Sequence, residues 1–435
     1  MRRFLSRVLP LLLSFGLIFN CTGCSTVLVL AGKARENSEA SSSVISESSA
    51  SSGVISTPVP TEDGDLRAFY TDVANAESVT VMVYMIGSDL ESEDGSATDD
   101  LLEMADAALS ENVHLVLQTG GTETWWNDVC TDDESERFVI ENGDMTLLQS
   151  LGSMNMTDAD TLSDFIRFSA ESYPADRYEL ILWDHGGGTM TGFGYDELYE
   201  DTSLTLSSLS TALYNGGVQF DFIGFDACLM ATAEVAYALD PYADYLIASE
   251  KSEPGEGWAY KNWLTMLAEN PAVPTAELGK KLADDFLEAY IFADMPTLSV
   301  LDLRYVPELY AALESYWESA YTALQSGSYG AFSQVRSNVR EFGDNEYDQV
   351  DLSDLATLTK QSLSLGTEDD VQAAVQNMVV YNVTYEKSAA GIAVYFPCLW
   401  PDYYGDTRFE MTCVGFPESY FEFYDKLDRK STRLN

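Results

Sequence analysis

The sequence predicts an α/β fold: a mostly parallel β-sheet with helices on both faces, followed by a more helical C-terminal part. Three observations carry this. Apolar stretches of strand length alternate with segments of helical spacing from about residue 66 to residue 250, the signature of βαβ units. The strands are continuously apolar, as expected where both faces of a sheet are covered. Several of them end on Gly, Ser or Asp, the residues of tight strand-end loops.

Residues 79–86 (VTVMVYMI) form the first strand, ended by Gly87-Ser88-Asp89. An acidic loop leads to a helix beginning near Thr98 and carrying Leu101, Leu102 and Met104. Residues 113–117 are a second strand, and 138–148 read as a hairpin around Asn142-Gly143, a favoured turn dipeptide. An amphipathic helix over 161–173 precedes a third apolar strand at 178–183. The spacing then predicts a helix at 204–214, a strand at 220–225, a helix at 229–239 and a strand at 245–248. Beyond these, helices are expected at 275–290, 307–324, 331–342 and 370–381, with strands at 297–303 and 391–396 (GIAVYF). In open parallel sheets the ligand site lies beyond the carboxyl ends of the strands. That rule directs attention to the loops after Ile86, Trp183, Phe225 and Ser249.

The N-terminal 65 residues read differently. Arg2, Arg3 and Arg7 precede a largely apolar run of twelve residues at 8–19, too short for a bilayer span and suited to the core of an export signal. Thr22-Gly23-Cys24 resembles a bacterial lipobox, with Cys21 where a leucine is usual, so residues 1–23 are expected to be removed and Cys24 lipidated. Ten of the nineteen residues at 38–56 are serine; such a segment buries too little apolar surface to order itself. Residues 24–65 therefore read as a tether, with a reach of about 35 Å for about 40 flexible residues, and 66–428 as the folded domain. The abruptly basic 429–435 is expected to be an artefactual tail.

The 435 residues carry 71 Asp and Glu against 23 Lys and Arg, a net charge of −48. That balance excludes nucleic-acid binding through a basic face and docking on anionic lipid headgroups. It favours basic partners. Beyond Cys21 and Cys24 only Cys130, Cys228, Cys398 and Cys413 remain, too few for a disulfide scaffold, although Cys398 and Cys413 stay open as a pair. No CxxC pair recurs and there are two histidines, His114 and His185, so no metal site is predicted and the sequence requires no cofactor.

Two strand ends combine reactive residues. His185 follows the third strand and precedes Gly186-Gly187-Gly188; Cys228 follows the 220–225 strand within FDACLM. Adjacent strand tips can bring a thiol and an imidazole together, the minimum for a cysteine nucleophile with a proton carrier. The helix expected after Cys228 would favour its thiolate. The backbone N–H groups of Gly186 and Cys228 could form an oxyanion hole, worth about 3–4 kcal/mol per donor. His114 lies inside a strand with no glycine or acidic neighbour, and reads as structural. A lone buried cysteine is more often inert, which is the reading for Cys130, Cys398 and Cys413.

The strings WDHGGG (183–188), DACLMATAEVAY (226–237), ASEKSEPGEGW (248–258), VMVYMIGSDLE (81–91) and GIAVYFP (391–397) together resemble the clostripain family of caspase-like (clan CD) cysteine peptidases. The resemblance spans most of the chain after the tether. It implies a caspase-like sheet, with His185 as general base and acid and Cys228 as the nucleophile that forms a thioester. It implies endopeptidase action after basic residues, Arg above Lys, on proteins or peptides at the bacterial cell surface. Asp226 matches the acidic residue two before the cysteine, and Glu250 and Glu253 lie on the loop expected to complete the substrate pocket. The resemblance also implies calcium, for which the acidic segment 91–100 is the candidate; a solvated acidic loop is the alternative. The chain departs from the family pattern in carrying Ala259 after Gly-Trp, where relatives often have an acidic residue. It also has no Lys or Arg between Gly186 and Ala227, so self-cleavage there after a basic residue is unavailable and a single-chain enzyme is expected. Two competing readings are a non-enzymatic surface lipoprotein of the same fold and a Cys-dependent amidase acting on cell-wall peptides.

Overall fold

The computed structural model describes residues 66–199, 202–290, 296–343 and 346–431. The export signal, Cys24 and the serine-rich tether lie outside the described residues, as do residues 432–435.

The central sheet has nine strands. Its middle is parallel: β7 (Ala243–Ala248), β6 (Phe220–Asp226), β5 (Arg177–Trp183), β1 (Val79–Ile86) and β2 (Val113–Gly120) lie side by side in that order. Antiparallel strands extend both edges. β3 (Ser135–Glu141) and β4 (Asp144–Gly152) follow β2; β8 (Thr297–Asp302) and β11 (Val379–Thr384) follow β7. The expected hairpin is β3–β4, with both Asn142 (φ 52°) and Gly143 (φ 81°) in the left-handed region, as a two-residue hairpin turn demands.

Continuous apolar strands arise because each strand feeds two cores. In β1, Met82, Tyr84 and Ile86 join one cluster, while Val79, Val81, Val83 and Met85 join the other. The first core is closed by α3 (Ala159–Ser172), α5 (Leu206–Gly216), α6 (Ala233–Leu239) and α9 (Val306–Gln325). The second is closed by α2 (Ser96–Ala105), α7 (Tyr260–Glu269) and α8 (Thr275–Ala289). One fully buried cation sits between β5 and β6: Arg177 pairs with Glu179 at 3.0 Å and Asp221 at 2.7 Å, the paired arrangement that a buried guanidinium needs.

The C-terminal part is more helical, as expected. It adds α10 (Tyr329–Asn338), α11 (Leu352–Ser362), α12 (Glu368–Met378), α13 (Tyr404–Cys413) and α14 (Glu418–Ser431) around a small antiparallel sheet. That sheet pairs β9 (Glu341–Phe342), β10 (Gln349–Asp351) and β12 (Ala393–Tyr395). The helix expected over 331–342 instead ends at Asn338, because Val339 turns extended and Glu341-Phe342 enter the small sheet. The backbone of α14 runs through Arg429 to Ser431, so the helix enters the segment set aside as a tail.

Candidate active site

Parallel strand order decides where the site lies. From β1 the chain crosses to β2 on one side and later returns to β5 on the other. The reversal leaves a crevice beyond the carboxyl ends of β1 and β5, the topological switch point where open α/β sheets bind ligands. His185 lies two residues beyond β5 and Cys228 two residues beyond β6. These strands pair in parallel register with Trp183 opposite Asp226, so the two tips travel together. A Cβ on Gly186 would stand 2.1 Å from the Cys228 carbonyl oxygen; only glycine permits this approach. Gly188 is held by φ 54° and by a site where a Cβ would stand 1.8 Å from Gln349 Oε1.

The strand feeding Cys228 does not run into a helix. Helix α6 begins at Ala233 with Thr232 as its cap, whose Oγ1 accepts from the Val235 N–H at 3.1 Å. Residues 227–231 form a turn, with Leu229 at φ 69°. The expectation that a helix N-terminus activates Cys228 is therefore corrected: the turn needed to aim the thiol and the cap Thr232 occupy the start of the predicted 229–239 helix, and α6 holds only 233–239. Leu229 and Ser88 (φ 47°) are non-glycine residues in left-handed conformation beside site residues, a strain of about 1–3 kcal/mol each.

The thiol docks on the loop after β7. Cys228 Sγ accepts from the Glu253 N–H at 3.2 Å and lies 3.8 Å from the Glu253 carbonyl oxygen. The Glu253 carboxyl points the other way, into a buried acidic cluster with Asp226 and Asp100. Trp258 N–H and Tyr260 O–H donate to Asp226 Oδ2 at 2.9 and 2.7 Å. Trp258 Nε1–H donates to Glu253 Oε2 at 3.1 Å, and Trp183 Nε1–H to Asp100 Oδ2 at 2.6 Å. Burial pushes the Asp226 carboxyl up to about 7 against these donors. Burial, then repulsion from Asp226, pushes Asp100 and Glu253 well above the carboxylate range. Gly257 roofs the cluster: a Cβ there would stand 2.6 Å from Asp100 Oδ2 and 3.0 Å from Asp226 Oδ2.

Of the three acidic residues expected in the pocket, the structure thus brings together Asp226 and Glu253. Glu250 is corrected. Its side chain turns toward the small sheet, accepting from Gly391 N–H at 2.8 Å, and burial beside Asp351 raises its affinity for a proton. Ala259 lies at the start of α7, where Tyr260 N–H bonds Glu103 Oε2 at 2.9 Å. Sequence reasoning placed Asp100 only within the acidic segment 91–100 offered for calcium, not beside Asp226; it is the fifth residue of α2. Sequence reasoning missed Asp89, although the loop after Ile86 had been singled out by its position. Asp89 lies in the short helix α1 (Ser88–Ser92), and its Oδ1 accepts from His185 Nε2 at 2.7 Å.

The remaining reactive residues have structural surroundings. His114 lies in β2 against the Tyr173 ring at 5.3 Å. Cys130 is buried, and Cys398 and Cys413 are exposed free thiols. The segment offered for calcium does not form a cradle. Glu91 is buried and spends both oxygens internally, accepting from Thr98 N–H at 2.8 Å, Thr98 O–H at 2.6 Å and Trp126 N–H at 2.6 Å. Among the described residues no group of three His, Cys, Asp or Glu is arranged to hold a metal.

Comparison with known proteins bears on the fold and the family. The chain resembles clostripain from Hathewaya histolytica, 35% identical over 123 residues, a match covering 24% of this chain and 23% of that protein's length. An inactive zymogen C11 protease from Parabacteroides distasonis superposes with a TM-score of 0.60 at 21% identity, over 77% of this chain and 97% of the other. A secreted C11 cysteine protease from Bacteroides thetaiotaomicron, solved with an irreversible peptide inhibitor, superposes at 0.59 and 18% identity, over 78% and 99%. These structures share the fold of the chain. The clostripain family model matches residues 83–427, nearly the whole of the described region, and the chain belongs to the clostripain family of cysteine peptidases.

Proposed function

We propose that this protein is an endopeptidase that cleaves proteins or peptides after basic residues through Cys228 and His185. Glu253 is the observation that supports this most: its backbone N–H meets the nucleophile's sulfur at 3.2 Å, while its carboxyl joins Asp226 and Asp100. The reacting bond and the acidic cluster are thereby one residue apart. The charged groups acting on those three carboxyls are other carboxyls, Glu103 and Asp99 among them. A substrate guanidinium supplies the missing cation, and planar carboxylate pairs receive it well. To reach them the side chain must pass the loop that carries Gly257.

In this mechanism His185 takes the Cys228 proton and the thiolate attacks the scissile carbonyl carbon. The N–H groups of Gly186 and Cys228 receive the developing oxyanion. His185 returns the proton to the leaving amine, and a thioester remains on Cys228. Water then attacks the thioester, with His185 as base, and releases the new carboxylate. Because residues 186–227 hold no Lys or Arg, the enzyme works as a single chain through this region; a nick there in active enzyme, seen by mass spectrometry, contradicts this.

The place of action is the outer face of a bacterial membrane, with Cys24 lipidated and residues 24–65 as tether. Among the described residues no helix is long and apolar enough to cross a membrane. Cys24→Ser is expected to release the protein into the medium; retention in the membrane fraction contradicts it. A panel of fluorogenic peptides with Arg, Lys or uncharged residues at the cleaved position tests the activity. Turnover of the Arg peptide that Cys228→Ala abolishes is expected. Absent turnover, or turnover indifferent to Cys228→Ala, refutes the reading.

A further inference from the structure

We propose that Asp89 is the positioning residue of this site: its carboxylate holds His185 through Nε2, and so assigns Nδ1 as the nitrogen that exchanges protons with Cys228. The inference rests on the cysteine-peptidase reading for its catalytic meaning, but the tautomer it predicts is a property of the protein alone.

The bond joins residues 96 positions apart at 2.7 Å, across the crevice between β1 and β5 where the strand order reverses. Both side chains are shielded, with 16% of His185 and 26% of Asp89 exposed. A carboxylate only accepts hydrogen bonds, so the proton between the two residues belongs to Nε2. In the neutral ring Nδ1 then keeps its lone pair, and it is the atom that can take the thiol proton. The imidazolium formed carries its charge against Asp89, as in other catalytic triads in which a carboxylate orients the histidine without accepting its proton. Burial pushes the Asp89 carboxyl up, but its bonds to and attraction toward His185 outweigh this and leave it below the ordinary carboxylate range.

Asp184, the residue between β5 and His185, is buried and turned to Tyr195, accepting from its N–H at 2.5 Å. Tyr195 itself presents its ring edge-on at 6.4 Å. The backbone carbonyl of His185 is taken by Gly194 N–H at 2.9 Å, which fixes the strand tip while Asp89 fixes the ring. The strained Ser88 (φ 47°) directly before Asp89 is consistent with a carboxylate held in place by its loop.

The chain's two histidines make the test direct. With histidine labelled in 15N and His114→Gln used to assign the second signal, the full folded chain reports His185 alone. At neutral pH the Nε2–H tautomer is expected; an Nδ1–H tautomer overturns the proposal whatever the activity. In Asp89→Asn the imidazolium pKa is expected to fall by about one unit, and the acid limb of kcat/KM, which reports the neutral imidazole base, to move down with it. On an Arg peptide kcat should drop on the order of 10²–10⁴-fold with KM within about threefold, and Asp89→Glu should recover part of it. An unchanged kcat, or a loss of kcat with the tautomer and the imidazole pKa unmoved, overturns the positioning role. If wild type turns over no peptide while the Nε2–H tautomer and its Asp89 dependence hold, the peptidase reading fails and the contact assignment stands.

Discussion

Glu250 and Glu253 sit three residues apart on one loop, and each ends in a buried carboxyl cluster, yet the two clusters are built to opposite ends. Glu250 joins Asp351, and the pair is closed from within the chain. Gly391 N–H serves Glu250, while Ala390 and Asp354 N–H groups serve Asp351 at 2.6 Å each. Arg340 adds a favourable charge to Glu250 and reaches Glu386 at 3.0 Å, which also pairs with Lys251 at 3.2 Å. That cluster ties the site loop to the small sheet. Glu253 joins Asp226 and Asp100, where polar groups donate and the charges of Glu103 and Asp99 add repulsion. On the proposed function, the first cluster is expected to act as a clasp, and the second, beside Cys228, to take its cation from a basic substrate.

The largest effect expected from this contrast falls on the nucleophile that sits with the second cluster. Cys228→Ala or His185→Ala should lower kcat at least about 10⁴-fold in single-turnover assays, with the fold intact by circular dichroism. Next, Asp226→Asn and Glu253→Gln should each lower kcat/KM for an Arg peptide roughly 10–150-fold, the loss of a charge-assisted hydrogen bond of about 1.5–3 kcal/mol. The same variants should change turnover of a neutral peptide only a few-fold. Glu250→Gln should change both by less than about threefold, since a glutamine imitates its protonated form. A Glu250 variant that lost Arg selectivity would erase the distinction between the clusters.

How much of this was legible in the sequence follows from where the signals are local. The strands were readable because two covered faces force continuous apolar runs such as 79–86. His185 and Cys228 stand out as candidates because each follows such a run, His185 before three glycines and Cys228 after Asp226-Ala227. The segment after Cys228 was misread as helix because its residues suit a helix, while the turn that aims the thiol is set by packing of the two strand tips. Glu250 was misassigned because sequence spacing does not tell which face of a loop a side chain takes. The contacts of Asp89 and Asp100 were not legible because their partners, His185 and Trp183, are more than eighty residues away and only the strand order brings them together.

A smaller effect concerns pH. In the free enzyme Asp226 holds its proton up to about 7 because it is buried, whereas a bound guanidinium favours the ionised form. Binding of a basic substrate therefore releases a proton below that point. The KM for an Arg peptide should fall as pH rises toward about 7 and level off above it, while a neutral peptide shows no such trend. The smallest effect is on stability. A carboxyl whose proton is held more tightly in the fold than in the unfolded chain, where it titrates near 3.8, costs stability as pH rises from about 4 through about 7. Asp226→Asn should accordingly raise Tm by about 1–3 °C at pH 8, with the gain shrinking as pH falls and disappearing below about pH 4. A Tm gain that grew toward acid pH would contradict the assigned burial.

The central claim, that the Asp226–Glu253–Asp100 cluster takes its cation from the substrate, is tested most directly by one pair of peptides. They are identical except for arginine or its uncharged isostere citrulline at the cleaved position. Wild type is expected to favour arginine by roughly 10–150-fold in kcat/KM, and the Asp226→Asn/Glu253→Gln double variant to lose that preference while still cleaving the citrulline peptide. Equal turnover of the two peptides by wild type, or a preference that survives in the double variant, would contradict the account.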